Sequence, residues 1–215
     1  MPTSTSPFSG YSNLVTSADQ LESICGKPLP QIIAKELTSL DQMCRDFITA
    51  SPFCLIASAN PSGYLDISPR GDPAGFVHVL TDNLIALPDR PGNKRVDTFH
   101  NILNDPRVSL IFIVPGKMET LRIRGTAKLC TDKKLLNDMS VDGHIPKLAM
   151  LVHVQTVFAH CPKCVIRSHL WEPGEWPDSS HLPNMNAMMV KHAKIKATPD
   201  EWFEHLKETG ELDLY

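Results

Sequence analysis

The chain has 215 residues, 42% of them hydrophobic, and a formal net charge of −3. At about 100–200 residues per domain, that length supports one sizeable core. Its mild acidity argues against a protein whose main task is coating nucleic acid, and no apolar run approaches the roughly 20 residues of a membrane span. Residues 1–16 are rich in Ser, Thr and Pro and are expected to be a flexible segment, with residues 17–215 forming one domain. Residues 17–26 carry the signals of a short capped helix: Ser17 as N-cap, Gln20 three residues on, and Gly26 to close it. From Pro30 to about Ala50, apolar residues recur near helical spacing (Ile32, Ile33, Leu37, Leu40, Met43, Cys44, Phe47, Ile48), which predicts one amphipathic helix.

The middle of the chain alternates strands with tight turns. Residues 53–60 and 64–68 flank Pro61-Ser62-Gly63, and residues 76–80 and 84–87 flank Thr81-Asp82-Asn83. Residues 94–104 have helical periodicity, ended by Pro106. Residues 107–114 and 120–129 flank Pro115-Gly116-Lys117, and in the second of these Leu121, Ile123 and Ala127 alternate with Thr120, Arg122, Arg124 and Lys128. Residues 148–160 read as another long strand. A short helix is expected around Cys161–Trp171, then a Pro-rich loop, then helices over 184–196 and 200–207. Antiparallel strands with helices inserted only at intervals predict a β-barrel with helical additions, an α+β fold. The irregular order and the lack of a glycine-rich phosphate loop argue against a parallel nucleotide-binding sheet.

Between residues 66 and 125 the chain collects Arg70, Arg90, Lys94, Arg95, Arg122 and Arg124, although its overall charge is negative. Two readings stay open. One is a set of exposed pairs with neighbouring acids such as Asp72, Asp89 and Asp97, each worth at most about 1 kcal/mol. The other is a site for a compact anion such as a phosphate, with the Gly92–Arg95 turn feeding a helix start and an antiparallel neighbour carrying Arg122 and Arg124 closing over it.

The six cysteines carry no disulfide framework and, without a secretion signal, imply a reducing compartment; the expected location is cytoplasmic. Cys161 and Cys164 form one C-x-x-C, with His160 and His169 alongside. A zinc site needs four ligands and usually a second such pair, and a redox pair needs its own fold context, so unbonded thiols are the expectation and no metal is assigned. No nucleophile elbow or close carboxylate pair marks a hydrolase.

DISPRGDPAGF at 66–76, PDRPGNKR at 88–95 and RSHLW at 167–171 together resemble one family. Residues from about 52 to 171 are similar to the FMN-binding split-barrel flavoproteins, the pyridoxamine-5′-phosphate-oxidase-like family. The resemblance implies an antiparallel split barrel holding FMN at a homodimer interface. It maps Arg70 beside the cofactor, Pro88 and Asp89 to backbone against the flavin ring with Arg90 adjacent, and Asn93, Lys94 and Arg95 to the phosphate. Thr120 and Arg122 map to the far edge of the flavin, and Arg167, Ser168 and Trp171 to contributions from the second subunit. Pyridoxamine phosphate oxidases carry a lysine five residues after the equivalent of Arg70, where this chain has Gly75, and their tryptophan-then-R-x-H segment has no match here. The resemblance therefore implies an FMN-dependent oxidoreductase acting on a small molecule other than pyridoxamine phosphate, with a nicotinamide nucleotide as one candidate electron donor. The alternative is a non-catalytic split-barrel module binding flavin, deazaflavin or haem. No catalytic residue is assigned, because a flavin carries the chemistry itself.

Overall fold

A computed structural model of the chain describes residues 6–215. The first five residues of the expected flexible segment lie outside the described ones. The chain divides into two compact units, Met1–Glu36 and Leu37–Tyr215.

In the first unit, α1 (Ala18–Cys25) starts as expected. The Ser17 side chain accepts a hydrogen bond from the Gln20 amide, and Gly26 closes the helix at φ 76° with its amide bonded to the Glu22 carbonyl. A second helix, α2 (Pro30–Ala34), has proline in its first turn, where no amide is needed. The single helix expected over residues 30–50 is corrected here. It stops after α2 and restarts as α3 (Gln42–Ala50), capped by the Asp41 carboxylate, which accepts from the Cys44 amide at 2.8 Å. Between them Leu37 leaves helical geometry to pair with Val157, a partner that local periodicity cannot reveal.

The second unit is built on one open, fully antiparallel sheet of β1 (Phe53–Ala59), β2 (Leu65–Gly71), β3 (His78–Thr81), β4 (Leu84–Pro88), β5 (Arg107–Ile113), β6 (Thr120–Cys130) and β7 (Ala149–His160). The strand order is β2-β1-β5-β6-β7-β4-β3, so the three expected hairpins all form and β7 returns to pair with β4. One face is the core. Ile56, Cys54, Leu110, Phe112, Ile123, Val152, Val154 and Val157 are essentially inaccessible and meet Ile48 of α3 and Phe99 and Ile102 of α4 (Asp97–Asn104). Full burial of each such side chain contributes about 1.5–3 kcal/mol. A short helix, α5 (Lys133–Asp138), capped by Asp132, packs Leu136 and Met139 on Ala86 and Ala149 in a second cluster. After β7 come α6 (Lys163–Arg167), α7 (Met185–His192) and α8 (Pro199–Glu208), the last held by a capping box between Thr198 and Glu201. No helix among the described residues is long and apolar enough to cross a membrane.

α4 is tied to the sheet by a polar contact inside the core. Asn101 Nδ2 donates to Ser58 Oγ at 3.0 Å and to Asp66 Oδ2 at 2.8 Å. This fixes the helix, and with it the loop that enters it, against β1 and β2.

Candidate functional site

A cleft of about 950 Å³ opens where β2, the loop 89–96, the start of α4 and the loop 143–147 meet. Its size falls within the range of small-molecule and cofactor sites. Arg70, Asp89, Arg90, Asn93, Lys94 and Arg95 all line it, and Pro88 lines an adjoining recess together with Arg70, Arg90 and Asn93. Seven of the twelve expected site residues are thus brought together.

Register explains how Arg70 arrives there. It pairs with Cys54, which pairs with Phe112, so its side chain leaves the edge strand on the core face. The guanidinium lies over the Phe99 ring of α4, 5.1 Å from its centroid. Its Nη1 lies 3.5 Å from Asp89 Oδ1, at the outer limit of a hydrogen bond. Its Nε is buried and has no hydrogen-bond partner among the described residues. Burial pushes the Asp89 carboxyl above its usual range, and Arg70 and Arg90 offset this only in part. The Arg70–Asp89 pair therefore leaves cationic donor capacity facing the cleft.

Arg90 is engaged differently. Its Nε donates to Asp72 Oδ2 at 2.6 Å and its Nη2 to the Met139 carbonyl at 2.9 Å. The Asp72 side chain is only 2% exposed. Its other oxygen accepts from the Tyr215 hydroxyl at 2.5 Å, and that hydrogen bond to a carboxylate pushes the phenol above its usual range. The Arg90 guanidinium also lies over the Tyr215 ring, and the His144 and Tyr215 ring centroids are 5.8 Å apart. Arg90 thus builds the wall of the cleft and has little left to offer a ligand. Asp72 was expected only as a partner in an exposed pair, whereas its carboxylate is buried; His144 and Tyr215 went unnoticed in the sequence, and Tyr215 lies 143 residues from its partner, where no local pattern marks it.

The loop from Pro91 to Val96 is not the helix start that the periodicity predicts. α4 begins at Asp97, three residues late, because Lys94 (φ 58°) and Val96 (φ 49°) both occupy the left-handed region. That conformation is costly for a β-branched residue and is found chiefly where function demands it. The Arg95 amide donates to Asn93 Oδ1 and its guanidinium to Asp97, while Lys94 Nζ reaches Glu211 at 2.6 Å.

The remaining five expected residues lie elsewhere. Leu121, not Arg122, is in register with Arg70 through Cys54 and Phe112, so Arg122 and Arg124 occupy the opposite face of the sheet. The expectation that they close over the same anion within one chain is corrected accordingly. Arg122 lies over the Phe158 ring at 5.6 Å, and Thr120 pairs with His160 at the strand end. Ser168 caps α6 through the Val165 carbonyl, Trp171 donates to the Lys117 carbonyl at 2.7 Å, and Arg167 stands exposed in the last turn of α6. Cys161 and Cys164 are free and exposed, and the described residues contain no group of three or more His, Cys, Asp or Glu arranged to hold a metal.

Residues 40–161, more than half the chain, match the family model described as pyridoxamine 5′-phosphate oxidase, and the chain belongs to that family. The open antiparallel sheet is its split barrel. Among solved structures, the chain is similar to HupZ of Group A Streptococcus, at 18% identity over 56% of this chain and 93% of that one, with a TM-score of 0.46. It is also similar to a putative pyridoxamine 5′-phosphate oxidase of Lactobacillus delbrueckii, at 17% identity over 58% and 98% of the two chains, with a TM-score of 0.45. A third likeness is to a FAD-binding protein of Mesorhizobium loti, at 16% identity over 56% and 94%, with a TM-score of 0.41. No curated protein matches the chain.

Proposed function

We propose that this protein binds FMN in the cleft beside Arg70 and works as a homodimeric FMN-dependent oxidoreductase on a small molecule. The observation that carries the reading is Arg70 itself, whose buried, unpartnered Nε borders a cleft that also collects Lys94 and Arg95. Such a donor set suits a phosphate monoester or the electron-rich edge of a flavin. Arg70, Lys94 and Arg95 would hold the group, with the Asp89 and Asn93 segment lining it. When bound, a flavin supplies hydride or single-electron transfer, and the protein's part is to position it and to place positive charge where negative charge develops. A second copy of the chain is supported by the outward face of the edge strand β2, where Leu65 and Ile67 stand 74% and 68% exposed.

The test is a titration of purified protein with FMN, followed by flavin fluorescence and visible absorbance, beside Arg70→Met. Stoichiometric binding that weakens about tenfold or more in the variant is expected, since a charge-assisted contact contributes about 1.5–3 kcal/mol. Failure of the wild-type protein to take up FMN would remove the reading. Mixing the loaded protein with NADH or NADPH then separates an oxidoreductase, whose flavin absorbance bleaches and recovers in air, from a non-catalytic carrier, whose absorbance stays constant.

A further inference from the structure

The segment 211–215 is held to residues of the cleft wall at two points of different strength, Tyr215 lining the cleft itself and Glu211 meeting Lys94. At one point Tyr215 joins a side chain that is 2% exposed, the Asp72 carboxylate, which Arg90 also holds. At the other, Glu211 accepts from Lys94 Nζ at 2.6 Å, between side chains that are 37% and 77% exposed. The first contact is desolvated and doubly bonded, whereas the second is a surface pair that solvent and competing ions weaken readily. Lys94 stands on the strained loop and lines the cleft with Arg70 and Arg95, so its ammonium is part of the cleft's positive end. The Glu211 carboxylate therefore occupies the place of an anion.

We infer that residues 211–215 form a strap in which Glu211 acts as a built-in competitor for the anion site: an incoming phosphate monoester takes Lys94 from Glu211 while Tyr215 stays latched to Asp72. The exchange is one anion for another on one ammonium, with no bond made or broken beyond hydrogen bonds. Its phosphate could belong to FMN, in which case it rests on the function proposed above, or to inorganic phosphate or another phosphorylated ligand.

Three probes separate these cases: FMN, riboflavin (which lacks the phosphate) and inorganic phosphate. They are applied to the full chain and to Glu211→Gln, an exposed change that leaves the core untouched. Hydrogen exchange of peptides covering residues 206–215 reads the strap directly, without any activity. Exchange around Glu211 is expected to rise when phosphate or FMN is added to the wild-type protein, and to be already raised in E211Q without ligand. FMN and phosphate should bind E211Q roughly two- to fivefold more tightly, the gain expected from removing one exposed competing pair, and riboflavin affinity should not change. Exchange that stays constant or falls with both FMN and phosphate, or an equal gain for riboflavin, overturns the inference. If phosphate loosens the strap but neither flavin binds, the strap stands and the flavin reading falls.

Discussion

Asp72 offers the sharpest test of how the wall of the cleft is held. Its carboxylate is almost wholly desolvated and bonded on one side by Arg90 and on the other by Tyr215. Asp72→Asn keeps the shape and removes the charge, leaving an arginine whose side chain is 14% exposed without its counter-ion. Breaking a buried pair from one side costs about 3–5 kcal/mol. The Met139 carbonyl still accepts from Arg90, so the lower end, about 3 kcal/mol, is expected. With a urea m-value near the upper part of the usual range of about 1–3 kcal/mol/M, the midpoint should fall by about 1 M or more. Removing both partners, in Asp72→Asn with Arg90→Met, leaves no uncompensated charge and should cost clearly less than the sum of the single changes, with a coupling of about 2 kcal/mol. Tyr215→Phe removes one hydrogen bond to a charged group and should cost about 1.5 kcal/mol or somewhat more. Urea unfolding of the three single variants and the double variant measures all of this. An Asp72→Asn stability within about 0.5 kcal/mol of wild type, or strict additivity in the cycle, would refute the account of a desolvated, mutually dependent pair.

At Gly125 an added Cβ would sit 2.0 Å from the His153 carbonyl oxygen, backbone against backbone, where the β6–β7 register shifts; Gly125→Ala should therefore lose about 2–3 kcal/mol or more, seen as a lower urea midpoint with unchanged m. Burial raises the Cys44 thiol to about 11 and the Cys54 thiol to about 12. A thiol reagent at pH 8 should accordingly label the exposed Cys25, Cys161 and Cys164 quickly and reach Cys44 and Cys54 only after denaturation, as mass spectrometry of the labelled peptides will show. The Asp89 carboxyl is raised in the folded protein, so the native state holds its proton more tightly than the unfolded chain does. Stability should thus fall, relative to Asp89→Asn, as pH rises from about the ordinary value of 3.8 through the raised one, and a urea series across acid pH checks the sign. In the same window, protonating Asp89 frees Arg70, so phosphate or FMN should bind more tightly toward acid pH in the wild-type protein and show less of this trend in Asp89→Asn.

The strands were legible because two local signals coincide: period-two burial and turn chemistry at Pro61-Ser62-Gly63, Thr81-Asp82-Asn83 and Pro115-Gly116-Lys117. β6 shows it plainly, with Leu121, Ile123 and Ala127 buried and Arg124 and Lys128 exposed. Helices were legible where a cap announced them, as Ser17 does. They were misread where a distant partner overrode periodicity, as Val157 does at Leu37. α5 was missed although Asp132 caps it, because its single turn and a half is too short to display a period. The late start of α4 was hidden for another reason: nothing in a valine announces φ 49°, and only the surrounding structure can hold it there.

The candidate site divides along the same line. Its cations were legible as residue types, because arginines and lysines at turns of an acidic chain stand out against the background. Their grouping was not, because it depends on parity: a side chain's face is set by counting residues across three strand pairings, and one residue's difference sends Arg70 inward and Arg122 outward. The two arginines can meet one ligand only if another chain brings its own outward face to the cleft. That requirement turns Arg122 into a test of assembly. If the flavin lies between two copies, Arg122→Ala should weaken FMN binding and the dimer together, with light scattering and flavin fluorescence moving in step at matched protein concentrations. If FMN affinity is untouched while Arg70→Met weakens it, the site is complete within one chain, and the outward arginine serves only the Phe158 ring on which it rests.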